Sequence, residues 1–254
     1  MPPSANRVVN PGWVLPHHNP VMSWSERGGN VRRVTVLPMF PLGSVLFPGA
    51  VLPLHVFEPR YRQLVQDCLA DESHEFGVVL IQRGSEVGGG DVRGNVGVVA
   101  RMVQVAEMPD GRYAVISVGT RRIKVNAWLP DDPYPLADVD ELPDDEWRGN
   151  TEPSQEWSAP RLATLTQRVR RCSALALELG DHAGDPNGDV DDDLHLASHQ
   201  LCTLAPLSTH DDYRLLCANS PHERLSLLHG MLDDLEAMLQ FRLYADGPIE
   251  DPTE

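Results

Sequence analysis

Residues 37–65 read LPMFPLGSVLFPGAVLPLHVFEPRYRQLV, with five prolines at 38, 41, 48, 53 and 59 set among large apolar side chains. Proline fixes φ and removes a backbone donor. It is tolerated at strand ends and edges and in the first turn of a helix, but not inside either element. The prolines therefore punctuate the stretch. Pro38 and Pro41 are expected to stop a first strand, RRVTVLPMF. Phe47-Pro48-Gly49 makes a tight connection, and Pro53 precedes a short strand, LHVF. Glu58-Pro59 opens a helix, with Pro59 at the first helical position and Glu58 beside the positive helix end. Tyr61, Leu64, Val65, Cys68 and Leu69 follow at helical spacing and form its buried face. The loop 42–52 stays apolar, and such loops either cap a barrel end or offer a binding surface.

Outward from this stretch, the signal is β from Arg33 to about Val139. EFGVVLIQ (75–82) reads as a buried strand. VGVVARMVQVAEM (96–108) and RYAVISVG (112–119) flank Pro109-Asp110-Gly111, a hairpin signal in which Gly takes the left-handed position. RRIKVNAW (121–128) alternates and reads as a further strand, with Gly119 at a sharp bend or bulge between it and its predecessor. Several strands in close succession with one short helix predict a small closed or nearly closed barrel. Residues 131–156 carry ten acids and one Arg and read as a linker or solvated edge. After them the period becomes helical, over 157–179, 194–204 and 213–217. A last helix begins at a capping box, Ser220-Pro221-His222-Glu223, and carries an apolar stripe of Leu225, Leu228, Leu232, Leu235 and Leu239.

The expected organisation is a flexible arm (1–32), a barrel lobe (33–142), an acidic linker (143–156), a helical lobe (157–245) and a flexible tail (246–254). The fold class is α+β: a mostly antiparallel barrel with one short helix, followed by a C-terminal helical bundle.

The opening stretch resembles the Lon N-terminal (substrate-binding) domain family. Phe47-Pro48-Gly49, Pro53-Leu54 and Glu58-Pro59-Arg60-Tyr61 match that family's opening pattern. Gly97 and Gly119 fall at its two recurrent glycines. The ending, with its Glu223-Arg224-Leu225 run, is similar to the family's helical lobe. The resemblance covers roughly 33–243. It implies a PUA-like barrel followed by a helical bundle, in a family found at the front of the ATP-dependent Lon protease, in cereblon and as stand-alone bacterial proteins. It also implies a protein-binding module, an adaptor or holdase for apolar or unfolded segments. The residues that would make contact are Phe47, Leu54, Phe57, Arg60 and Tyr61, with the barrel core as their alternative placement. Expected partners are unfolded or partly folded polypeptides, with a protease or chaperone among them.

Lon's own chemistry is not expected. A P-loop needs a lysine after its second glycine. The only lysine among the 254 residues is Lys124, in RRIKV. The same count leaves no Ser-Lys peptidase dyad beyond the binding region. Cys68, Cys172, Cys202 and Cys217 form no CxxC pair and read as reduced thiols of a cytoplasmic protein. The stretch 181–189 is rich in Asp. Read as a calcium loop from Asp185, it has Val190 where Gly is needed and Leu196 where Glu should chelate. His195 and His199 share helical i, i+4 spacing without an HExxH, and with His182 they read as ordinary histidines. No cofactor or metal is expected. A net charge of −16 repels phosphate backbones and anionic membranes, so neither is an expected partner. Two alternatives stay open: RNA or small-ligand binding through the barrel, with Arg121, Arg122 and Lys124 as its basic cluster, and an enzyme with an unrecognised site.

Overall fold

A computed structural model of the chain describes residues 35–84, 92–144 and 157–245, together with the backbone of 8–9. The expected arm apart from Val8–Val9, the expected tail and most of the acidic linker lie outside the described residues. The chain divides into two units, Met1–Pro143 and Asp144–Glu254.

Among the described residues, the first unit holds seven strands and one helix: β1 (Val8–Val9), β2 (Thr35–Leu42), β3 (Val51–Val56), α1 (Pro59–Ala70), β4 (Glu75–Arg83), β5 (Val92–Glu107), β6 (Tyr113–Leu129) and β7 (Leu136–Glu141). The order is β1-β5-β4-β2-β7-β6-β3, and an extra β5–β6 pairing closes five of the strands into a barrel. All the pairings are antiparallel except β2 with β4. Met39, Val79, Val99, Ile123, Val125, Ala137 and Val139, drawn from five strands, fill the barrel interior.

The prolines of β2 do not stop it. Thr35–Pro38 pairs with β7 and Met39–Leu42 with β4, so the strand changes neighbour between Pro38 and Met39. Each half is laddered on one edge, and a proline with no donor can face the other. β6 is likewise one strand rather than two. A β-carbon at Gly119 would overlap the Phe47 carbonyl oxygen, and one at Gly97 the Val78 carbonyl oxygen. These glycines therefore permit close backbone approach, and beside Gly119 the register against β5 slips by one residue, from Ala100–Gly119 to Val99–Arg121, which is the expected bulge. β7 lies where a linker or solvated edge was expected. Its Ala137 and Val139 point inward while Asp140 and Glu141 stay exposed.

β5 and β6 outlast the barrel. Their halves Met102–Glu107 and Tyr113–Val118 stay paired with each other. β3 adds to β6 along Val51–Val56, and β1 adds to β5. The turn between β5 and β6 is the expected one, with Gly111 at φ 78 and its N–H on the Met108 carbonyl. α1 starts at Pro59 after an extended Glu58. It buries Tyr61, Leu64, Val65 and Cys68, with Tyr61 stacked on Phe40 at 4.1 Å.

The second unit holds α2 (Ala159–Glu178), α3 (Leu194–Leu204), α4 (Thr209–Cys217) and α5 (Pro221–Ala245). The leucine stripe of α5 is buried throughout. Ser220 accepts from the Glu223 N–H, while Glu223 reaches back to the Asn219 N–H, a capping box displaced by one residue. α2 and α5 are joined by Arg168, which bonds Asp233 at 2.7 Å and Glu236 at 3.1 Å. The Ser173 hydroxyl donates to the Leu204 carbonyl at 2.7 Å, fixing α2 to the end of α3. Among the described residues, no helix is long and apolar enough to cross a membrane.

Candidate functional site

The five residues singled out from sequence fall in three environments. Phe47 is 3% exposed and Tyr61 is also buried. Leu54 is half-buried, on the side of β3 that faces the interior. Phe57 is 55% exposed. Arg60 is partly exposed, with its guanidinium 4.6 Å from the centre of the Tyr61 ring and its Nε donating to Glu58 at 3.0 Å. Phe57 and Arg60 therefore reach the surface. Phe47, Leu54 and Tyr61 line up with packing.

Phe57 belongs to a larger apolar surface that the sequence reading missed. Val51, Pro53 and His55 turn outward from β3, and Val51 is 63% exposed. Opposite them on β6 stand Val118, Ile116 and Ala114. Ile116 is 38% exposed and its two neighbours are half-buried. The strip has the period of two expected of one sheet face, but its outer side is apolar rather than polar. The alternation of β3 alone could have revealed it, had its outward residues been charged against its inward ones.

The backbone of β3 also has a defined phase. Gly119 donates to the Ala50 carbonyl at 2.9 Å, and Val51 stands opposite Val118. Hydrogen-bonded pairs alternate in an antiparallel ladder, so Leu52, Leu54 and Val56 direct their backbone groups to β6. Val51, Pro53 and His55 direct theirs away from it. Pro53 thus stands where its missing N–H removes a donor from an edge.

The basic triplet divides. Arg121 joins Glu75 at 2.8 Å and Glu141 at 2.9 Å, Arg122 is buried and donates to the Pro143 carbonyl, and Lys124 is exposed. Burial alone would raise the Glu75 carboxyl, but the hydrogen bonds and charge of Arg121 and Arg101 outweigh it and hold the group below the usual range. Arg121 and Glu141, with Thr35, Leu37, Ile123 and Val139, line a cavity of about 130 Å³. Drug-sized ligands occupy roughly 300–1,000 Å³, so this cavity suits water rather than a cofactor. Cys68 and Cys172 are buried, which pushes their thiols up to about 12 and about 11, and Cys202 is pushed higher still. Such thiols are poor nucleophiles at neutral pH.

In the second unit the unexpected group is Arg224, which is fully buried. It forms a bidentate pair with Asp144, at 2.6 and 3.3 Å. It also donates to Ser198 Oγ at 2.8 Å and to the Leu215 and Ala218 carbonyls at the end of α4. His195 Nδ1 and His199 Nε2 lie 3.4 and 3.7 Å from the same Asp144 oxygen. One guanidinium thus joins α3, α4 and α5 and satisfies carbonyls that a helix end leaves over. This explains an arginine inside an otherwise leucine-lined turn.

A barrel unit followed by a helical unit is the fold of the Lon N-terminal domain. The Lon N-terminal domain protein from Xanthomonas campestris superposes with a TM-score of 0.55 at 32% identity, over 77% of this chain and 98% of that one. The N-terminal domain of the Mycobacterium avium complex Lon protease has a TM-score of 0.51 at 20% identity, over 79% of this chain and 99% of that one, which bears on the fold alone. A family model for the ATP-dependent protease La (LON) substrate-binding domain matches residues 36–234, and the chain belongs to that family. Among curated relatives, the Lon protease of Anaeromyxobacter dehalogenans is 38% identical over 112 residues, which are 43% of this chain and 13% of that protein. The Lon protease of Cytophaga hutchinsonii is 26% identical over 221 residues, 82% of this chain and 25% of that protein. The chain therefore spans a quarter or less of these relatives.

Proposed function

We propose that the chain is a non-catalytic module that holds extended apolar segments of unfolded or partly folded polypeptides, in the manner of an adaptor or holdase. The observation that carries this reading is the exposed apolar strip of β3 and β6, with Val51, Pro53, Phe57 and Ile116 at its centre. Soluble monomers seldom leave such a face uncovered on an edge strand without a partner for it. Membership of a substrate-binding family supports polypeptide as the partner. Ion pairing of Arg121 with Glu75 and Glu141 counts against the RNA alternative, since phosphate would have to displace two carboxylates. The cavity beside Arg121 and Glu141, at about 130 Å³, is itself too small for a drug-sized ligand.

The test is binding of reduced, carboxymethylated lactalbumin by fluorescence anisotropy. Phe57→Asp and Ile116→Asp each place a charge on the strip without entering the core. Each is expected to weaken binding by about 1–2 kcal/mol, roughly ten-fold, once corrected for the folded fraction. Stability is expected to shift by less than about 0.5 kcal/mol for Phe57→Asp and by about 1–2 kcal/mol for Ile116→Asp, which sits in a strand paired on both edges. Unchanged affinity in both variants sinks the assignment to this face.

A further inference from the structure

The sheet formed by β3, β6, the second half of β5 and β1 has two edges, protected by different means. At β3 the protection is built in, because Pro53 turns a donorless nitrogen outward. At β5 it is a separate piece of chain. Pairing with β4 ends at Arg101, and the Met102 N–H takes the His74 carbonyl. Beyond that point, among the described residues, Val103–Glu107 meets only β1 on this edge, with Val8 opposite Ala106 and Val9 opposite Val105.

We propose that Val103–Glu107 is a strand-accepting site for an extended apolar segment of a bound polypeptide, and that Val8–Val9 fills it in cis as a built-in competitor. The inference rests on the polypeptide-binding reading above and names where that polypeptide's backbone docks and what regulates it. Three observations lead to it. First, the edge already holds an extended apolar dipeptide in antiparallel register, so its geometry admits a strand. Second, the occupant is two residues long while the acceptor is five, of which Val103 is a bulge against β6 and Gln104–Glu107 run in regular register. A two-residue ladder is marginal, and a longer strand makes more bonds on the same edge. Because β1 is tethered to the chain it covers, it competes at a fixed local concentration. Third, the edge is continuous with the apolar strip. Ala106 stands opposite Ala114, which stands opposite His55, and Gln104 stands opposite Ile116, which stands opposite Pro53. Alternate residues of an added strand fall on that same face. The β5 edge would supply main-chain bonds and the strip would supply side-chain contact.

The test uses the full chain with Val8→Pro and Val9→Pro, which removes both N–H groups of β1 and leaves the acceptor unaltered. The probe is a fluorescein-labelled peptide with the sequence of residues 5–12, ANRVVNPG, followed by anisotropy, and by amide exchange in 103–107. The double variant is expected to bind the peptide about ten-fold tighter than the unaltered chain, because the competent state is no longer masked. Bound peptide should slow exchange in Val103–Glu107. Equal affinity for the two chains, or slowed exchange confined to other strands, overturns the proposal. So does light scattering that shows a dimer broken by the substitutions, since β1 would then act between copies. Lactalbumin separates this inference from the reading beneath it. If the variant gains peptide affinity while lactalbumin binds neither chain, the holdase reading fails and the acceptor edge stands. If lactalbumin binds both chains equally and the peptide gains nothing, the acceptor edge fails and the reading stands on the strip alone.

Discussion

Phe47 lies in the connection between β2 and β3, where its carbonyl oxygen accepts from the Ala50 N–H and presses against Gly119. The residues around it have no period, so sequence alone leaves both roles open: an aromatic offered to a partner, or an aromatic folded inward. Burial favours the second. Phe47→Ala is expected to cost about 3–5 kcal/mol in urea denaturation, with lactalbumin affinity unchanged once corrected for the folded fraction. A stability loss below about 1 kcal/mol with weakened binding would return Phe47 to the surface strip. Phe57, ten residues on, has the opposite fate because it follows the last paired residue of β3, just before the turn into α1. The difference is one of tertiary placement, and no local rule separates the two phenylalanines.

The elements that were legible are those whose signals are local. α1 begins at its proline, α3 spans the residues its period marks, and the β5–β6 turn follows from Pro109-Asp110-Gly111. Those that were not legible depend on neighbours. β7 was hidden because Asp138, Asp140 and Glu141 dominate its composition, although Ala137 and Val139 alternate with them. β2 continues through two prolines because each half has only one paired edge. Nothing local marks Arg224, beside Glu223 in the first turn of α5, as buried, yet it is fully buried and bonds Asp144, Ser198 and the end of α4. Arg224→Met removes one partner of a buried pair and is expected to cost about 3–5 kcal/mol, since Asp144 is left without its guanidinium. Native-state hydrogen exchange in α3 and α5 measures it. The double change Arg224→Met with Asp144→Leu should recover a large part of the loss, and a double variant no better than the single would contradict the pair as the cause.

Across the whole molecule, one carboxyl in each of the two units responds to pH with a sign opposite to the other's. In the first, Glu75 has a carboxyl held below its ordinary value, so its stabilisation is present above about pH 4.5 and is lost as pH falls. In the second, burial and then the neighbouring Asp211 push Asp212 up to about 7 from an ordinary 3.8, and its Oδ1 is buried without a hydrogen-bond partner. A raised carboxyl binds its proton more tightly in the folded state. Its contribution is therefore complete below about pH 4 and is lost as pH rises towards 7. Asp212→Asn is expected to leave stability at pH 4 nearly unchanged and to raise it at pH 8 by on the order of 2 kcal/mol. Thermal midpoints at the two pH values decide it, and a gain at pH 4 as large as that at pH 8 would remove ionisation as the cause.

The long β5–β6 ladder also sets an order of events during folding. Its residue pairs run from Val96–Lys124 to Glu107–Tyr113 and are joined by a turn of five residues, so almost all of it forms between chain neighbours. The contacts of β2 with β7 join residues about a hundred positions apart and carry a much larger loop-closure cost. A ribbon of β5 and β6 should therefore assemble first, and the strands that complete the cylinder should be recruited to it. In pulse-labelled refolding, amides of β5 and β6 are expected to gain protection before those of β2 and β7. Until that recruitment ends, the ribbon is exposed along both sides, which makes the early intermediate rather than the finished protein the species most prone to aggregate.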